Sequence, residues 1–93
     1  MTLVDKHVFI SHSSSDRRVA RRLCSRLEKA EIPCWIAPRN IVPPEPYPEA
    51  IIRAIKQSFA FVLVLSASSN VSPQVAYEVE RAGARRTRMF TLR

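Results

Sequence analysis

Glycine is almost absent from this sequence: Gly83 is the only one in 93 residues. A phosphate-cradling loop of the dinucleotide or P-loop kind needs several positions without a Cβ directly after a strand. Ser13, Ser14 and Ser15 stand in that place, which excludes those conventional nucleotide sites. Cysteine and histidine are also scarce, and Cys24, Cys34, His7 and His12 lack the paired spacing of a zinc module, so no metal is expected. Both cysteines lie among apolar residues, as reduced core thiols do, which favours a cytoplasmic setting over a disulfide framework. Acidic residues are few, with Asp5 ahead of the first strand and Asp16 isolated, so the carboxylate cluster that holds magnesium in response regulators is missing. No apolar run approaches the roughly 20 residues of a membrane span. Met1 to Lys6 lacks the apolar core of a signal peptide, and a soluble module is expected.

Positive charge, by contrast, is plentiful. Fifteen Lys and Arg oppose eight Asp and Glu, giving a formal +7, and twelve of the fifteen are Arg. Arg17, Arg18, Arg21, Arg22, Arg26 and Lys29 share one helical pattern, while Arg81, Arg85, Arg86, Arg88 and Arg93 crowd the end. Both groups suit solvated faces or surfaces for an acidic partner. They are not interleaved with the aromatics of a single-strand platform, which argues against nucleic acid. Hydrophobic residues make up 46% and charged residues 25%, a balance that predicts one folded domain over residues 1–93.

The hydrophobic periodicity alternates between strand and helix. His7 to Ser11 reads as a strand, followed by polar residues able to cap a helix from about Asp16 to Lys29, whose Val19, Ala20, Leu23, Cys24 and Leu27 recur at steps of three and four. Ile32 to Ala37 is a second strand candidate, and Pro38, Pro43, Pro44, Pro46 and Pro48 make the next passage extended and stiff. A helix from Pro48 carries Ala50, Ile51, Ala54 and Ile55 on one stripe. Phe59 to Leu65 is continuously apolar, as a central parallel strand covered on both faces should be. Ser66 to Ser72 reads as a polar loop, Pro73 to Ala84 as a third helix and Met89 to Leu92 as a last strand. This order predicts an open parallel α/β sheet of the flavodoxin type, with function beyond the strand C-terminal ends. His12 to Asp16, Arg39 to Tyr47 and Ser66 to Glu78 would converge there.

The string Val8-Phe9-Ile10-Ser11-His12-Ser13-Ser14-Ser15-Asp16, then Cys34-Trp35-Ile36-Ala37-Pro38-Arg39-Asn40-Ile41, resembles the start of a TIR (Toll/interleukin-1 receptor) domain of the prokaryotic branch. The resemblance continues through Phe61 to Leu65 and Ser72 to Glu80. It implies a TIR domain lacking the usual last strand and helix, truncated at the C-terminus. It also implies that Pro38 to Tyr47 is the so-called BB loop used in assembly, with Pro43-Pro44 where relatives commonly have proline then glycine.

Many prokaryotic members of this family cleave the bond between nicotinamide and ribose in NAD. The resemblance therefore implies an NAD glycohydrolase or cyclase, activated by self-assembly in antiviral defence, with NAD as substrate and no prosthetic group. It selects Glu78 as the catalytic residue, and a carboxylate suits that task because it can bind ribose hydroxyls and stabilise positive charge developing on ribose. Glu80, two residues on, cannot face the same place. Ser11, His12, Ser13, Arg39 and Gln74 are the candidate binding residues, with Gln74 where several active relatives carry an aromatic side chain.

Structural alternatives stand beside these roles: helix capping for the serines, a solvated position for Glu78, and a solvated loop position for His12 and for Arg39, whose functional readings are phosphate neutralisation and assembly. Trp35 fits core packing or base stacking. The competing function is a noncatalytic TIR interaction module, for signalling or for interference with host TIR proteins. Expected partners are a second copy, other TIR domains and a fused or separate sensor.

Overall fold

The computed structural model describes residues 6–93. Strand β1 spans His7–Ser11, and after a single 3₁₀ turn at Ser14–Asp16 helix α1 spans Arg17–Lys29. Strand β2 (Cys34–Ile36), helix α2 (Tyr47–Lys56) and strand β3 (Ser58–Val64) follow. Helices α3 (Ala67–Asn70) and α4 (Pro73–Ala84) then lead to strand β4 (Met89–Leu92).

All pairings are parallel, in the order β2-β1-β3-β4. From β1 the chain moves outward to β2, then crosses back to build β3 on the other side of β1. Right-handed crossovers consequently put α1 on one face of the sheet and α2 and α4 on the other. The reversal opens a crevice at the C-terminal ends of β1 and β3.

Strand periodicity divides the core in two. Val8, Ile10, Cys34, Ile36, Ala60 and Val64 meet Ala20 and Cys24 of α1. Phe9 and Phe61 meet Ile51, Ala54 and Ile55 of α2 and Ala82 of α4. Because β1 is covered on both faces, all five of its residues are buried. Cys24 and Cys34 are free thiols within the first cluster, and burial pushes the Cys34 thiol up to about 12.

In the second cluster, register places Phe9 opposite both Trp35 and Phe61. Its ring lies 5.2 Å from Trp35, tilted by 12°, and 5.4 Å from Phe61, tilted by 5°. Trp35 is thus a packing residue of a three-ring ladder, each stack contributing about 0.5–1.5 kcal/mol beyond area burial.

Several local expectations change. Helix α1 begins at Arg17, and neither Ser13 nor Asp16 caps it through a side chain. Strand β2 is only three residues long, because Pro33 lies before it and the turn at Ala37–Asn40 after it. Ser66–Ser72 is not all loop, since Ser66 and Ser69 form a reciprocal capping box that starts α3. Helix α2 starts one residue early, at Tyr47, with Pro48 in its first turn where a missing N–H costs nothing.

Two helix ends need a left-handed residue, and neither has glycine. After α1, Glu31 adopts φ 66° while Glu31 N–H donates to Glu28 O and Ile32 N–H to Leu27 O. After α4, Arg86 adopts φ 59° in the same arrangement, with Arg86 N–H donating to Gly83 O and Thr87 N–H to Ala82 O. A Cβ at Gly83 itself would meet nothing within 4 Å.

Candidate functional site

The crevice holds a cavity of about 190 Å³ whose lining includes His12, Ser13 and Ser14 after β1, Ala37 and Pro38 after β2, and Tyr47 at the start of α2. Arg17, Ser72, Gln74 and Glu78 complete its polar wall. Helix α4 supplies the acid. Its Val75, Glu78 and Ala82 form the buried stripe, at steps of three and four, so the packing that seats α4 also drives Glu78 inward. Glu78 is 4% exposed, whereas Glu80 points to solvent.

Each oxygen of the Glu78 carboxylate receives one donor. Ser11 Oγ donates to Oε1 at 2.6 Å, and Gln74 Nε2 donates to Oε2 at 2.8 Å. Ser11 comes from the buried end of β1 and Gln74 from one helical turn before Glu78, so sheet and helix together fix the carboxyl plane. Burial raises the Glu78 pKa above the ordinary glutamate value, outweighing the two hydrogen bonds, which act in the opposite direction. Across the cavity, Tyr47 has a raised pKa from burial and then from the Glu78 charge, with Arg17 opposing. The carboxylate retains lone pairs able to accept ribose hydroxyls or to face a developing cation.

His12 lines the cavity, and its ring also ties two loops together. Nδ1 lies 2.7 Å from Ser13 O and Nε2 lies 3.2 Å from Ala37 O. A neutral imidazole has one N–H, so it can donate to only one of these carbonyls at a time. Ser13 donates to Asp16 Oδ2 at 2.8 Å, and Ser66 Oγ donates to the same oxygen at 2.5 Å. These two bonds, Ser66 foremost, lower the Asp16 pKa. Asp16 therefore acts as a strut joining the loop after β1 to the loop after β3.

The structure assembles Ser11, His12, Ser13 and Gln74 around Glu78 or along its cavity, and it leaves Arg39 out. The Arg39 guanidinium makes a bidentate pair with Glu28, Nη1 to Oε1 at 3.2 Å and Nη2 to Oε2 at 2.9 Å. Its Nε donates to Asn40 Oδ1 at 3.1 Å. That pair clips the proline-rich loop to α1, and the Arg53–Glu45 pair clips its other end to α2. Arg17 and Tyr47 are lining residues that the sequence candidates omitted. Arg17 shares the sequence pattern of a solvated arginine face and is exposed, yet as the first residue of α1 it also borders the cavity.

A family model described as TIR domain matches residues 8–93. No curated protein sequence matches the chain. Among solved structures, the TIR domain of the Toll-related receptor TRR-2 from Hydra magnipapillata is similar, with a TM-score of 0.81 and 22% identity. That match covers 90% of this chain and 66% of the Hydra chain. A metazoan TIR-STING receptor from C. gigas is similar over 99% of this chain and 32% of the receptor, with a TM-score of 0.82 and 23% identity. At these identities the likeness is one of fold. No helix among the described residues is long and apolar enough to cross a membrane.

Proposed function

The chain belongs to the TIR domain family, and we propose that it cleaves the nicotinamide–ribose bond of NAD, with Glu78 as the catalytic residue. The observation that carries this reading is the buried Glu78 carboxylate at the crevice, held by Ser11 and Gln74. As neutral nicotinamide departs with the bonding electron pair, positive charge develops on the ribose. A fixed carboxylate stabilises that charge while its remaining lone pairs accept ribose hydroxyls. Water then adds to the ribose carbon and loses a proton to give ADP-ribose, or a nucleophilic nitrogen of the same molecule adds to give a cyclic product.

The cavity, at about 190 Å³, is smaller than the about 300–1,000 Å³ of drug-sized ligand sites. It suits the nicotinamide–ribose end, with the rest of the dinucleotide reaching outward. A second copy, or another TIR domain, would complete the site, making activity dependent on assembly. In this reading Arg17 faces phosphate, and the protein works in the cytoplasm as a self-assembling signalling module of antiviral defence, switched on by a fused or separate sensor.

A noncatalytic interaction module is the second reading. It is favoured by Gln74, whose amide occupies Glu78 Oε2, and by a loop clipped at both ends that presents exposed Val42, Pro43 and Pro44. Nicotinamide release from NAD by concentrated protein distinguishes the two. Release that disappears in Glu78→Ala and persists in Glu80→Ala supports the enzyme. No release from folded assemblies of the native protein would sink it in favour of the interaction module.

A further inference from the structure

At the opposite end of the sheet from Glu78, a second concavity of about 270 Å³ opens where α2 and α4 end and β3 and β4 begin. Lys56, Arg85, Arg86 and Arg88 line it together with Ser58 and Thr87. Among the described residues none of the four cations forms an ion pair, the two salt bridges being Arg39–Glu28 and Arg53–Glu45. The C-terminal ends of α2 and α4 contribute partial negative charge, and Arg85 Nη2 donates to Lys56 O at 3.4 Å. Two helix ends offset only about one elementary charge in total, which leaves most of the four positive charges uncompensated.

The main chain that carries the arginines is also held in place. Arg85, Arg86 and Thr87 N–H groups donate to Ala82, Gly83 and Ala82 carbonyls at 3.2, 3.0 and 3.1 Å. Phe61 N–H donates to Arg88 O at 2.8 Å. The backbone of the turn that carries three arginines is thus fixed at both ends before any ligand arrives, so binding has to order the cationic side chains but not the main chain that presents them. Arginine forks match phosphate oxygens in bidentate fashion, Lys56 adds a point charge, and Thr87 offers a hydroxyl.

We propose that this concavity is a second site, separate from the Glu78 crevice, which binds the polyphosphate group of a small soluble anion. Its size and enclosure by one turn and one strand start favour a short phosphate chain over a nucleic acid backbone, which would need an extended basic stripe. The shared chemistry covers inorganic polyphosphate and nucleoside triphosphates.

The test is titration of tripolyphosphate, and separately ATP, into the isotopically labelled protein, followed by amide chemical shifts. Saturable shifts at residues 56–59 and 85–88 are expected with both. Equal affinities assign recognition to phosphate alone, and tighter ATP binding assigns it to a nucleotide source. Arg86→Gly is the informative variant, because glycine adopts the left-handed conformation freely and should raise the melting temperature. Tripolyphosphate binding should nevertheless weaken by about tenfold or more, as expected for loss of a charge-assisted contact. Unchanged binding in Arg86→Gly would overturn the proposal. So would shifts centred on the α1 arginines, tighter binding of a DNA duplex than of tripolyphosphate, or equal shifts from sodium sulfate at matched ionic strength.

Discussion

Replacing Glu78 by glutamine should stabilise the protein, and the gain should depend on pH in a defined direction. Glu78 is 4% exposed, and its two donors at 2.6 and 2.8 Å do not replace the hydration an ionised carboxylate loses. Burial consequently raises its pKa above the ordinary 4.5. Below pH 4.5 the group is protonated in both folded and unfolded chains, and it costs nothing extra. As pH rises, the unfolded chain ionises first while the native state still holds the proton, so stability falls until the native group ionises too. Glutamine is exempt from that loss. Its amide can keep both contacts, with its oxygen accepting from Gln74 and its NH₂ donating to Ser11 Oγ. The Glu78→Gln advantage should therefore grow from about pH 4.5 upward and level off at about 0.5–2 kcal/mol, the usual yield when a strained functional group is removed. In a domain this small, about 1 kcal/mol moves the melting temperature by about 4–8 °C. Urea unfolding from pH 3.5 to 8 reads the effect, and Glu80→Gln, exposed on the same helix, is the control whose difference should stay flat. An advantage that shrinks as pH rises would refute the reasoning, because it would mean that the ionised carboxylate is a net stabiliser.

Two further outcomes follow from the packing. Phe9→Leu removes two ring stacks and Phe61→Leu one, so their losses of stacking should be about 1–3 and about 0.5–1.5 kcal/mol respectively; equal costs in urea unfolding followed by circular dichroism would discount the ladder. Glu31→Gly relieves a left-handed residue at φ 66° and should raise stability by about 0.5–1 kcal/mol after glycine's extra unfolded-chain entropy is deducted, whereas Glu31→Ala should give no comparable rise in melting temperature.

The sheet was legible because its signals are local and repeated. Val8, Phe9 and Ile10 in one strand and the uninterrupted run around Phe61 require cover on both faces, and only a parallel sheet with helices on each side provides it. The place of Glu78 at the crevice was legible through the family resemblance alone, because apolar periodicity puts Val75, Val79 and Ala82 on the helix stripe and leaves a glutamate to solvent. Arg39 was not, because its partner Glu28 lies eleven positions away, and nothing in local spacing reveals that the turn after β2 returns to the end of α1. The serines show the same limit. Ser13 and Asp16 have the composition of a helix cap, yet their side chains bond each other and Ser66, fifty residues beyond Asp16. Capping and cross-loop bonding use identical acceptors, so only the folded geometry separates them. Tyr47, like Trp35, reads in sequence as either a stacking or a packing ring, and only the folded geometry puts Tyr47 on the cavity wall and Trp35 in the core.

Helix α4 carries Glu78 in its middle and leads directly into the turn that holds Arg86, and this shapes how the two proposed sites can be tested. Its buried residues are Val75, Glu78 and Ala82, against Ala50, Ile51, Ala54 and Ile55 in α2, so it contributes less apolar burial than its neighbour. Its middle holds a carboxylate that resists ionisation, and the turn after its C-terminus holds an arginine in a conformation that favours glycine. Both are costs that folding alone would not select, and removing either should make the protein more stable. The six residues from Glu78 to the helix end at Ala84 rise about 9 Å along the axis, and Arg86 lies beyond that end in a separate turn, outside the range at which substitutions commonly couple. Loss of nicotinamide release at one position and of anion binding at the other can therefore be read separately. Because each variant is expected to fold better than the parent, neither loss can be attributed to unfolding.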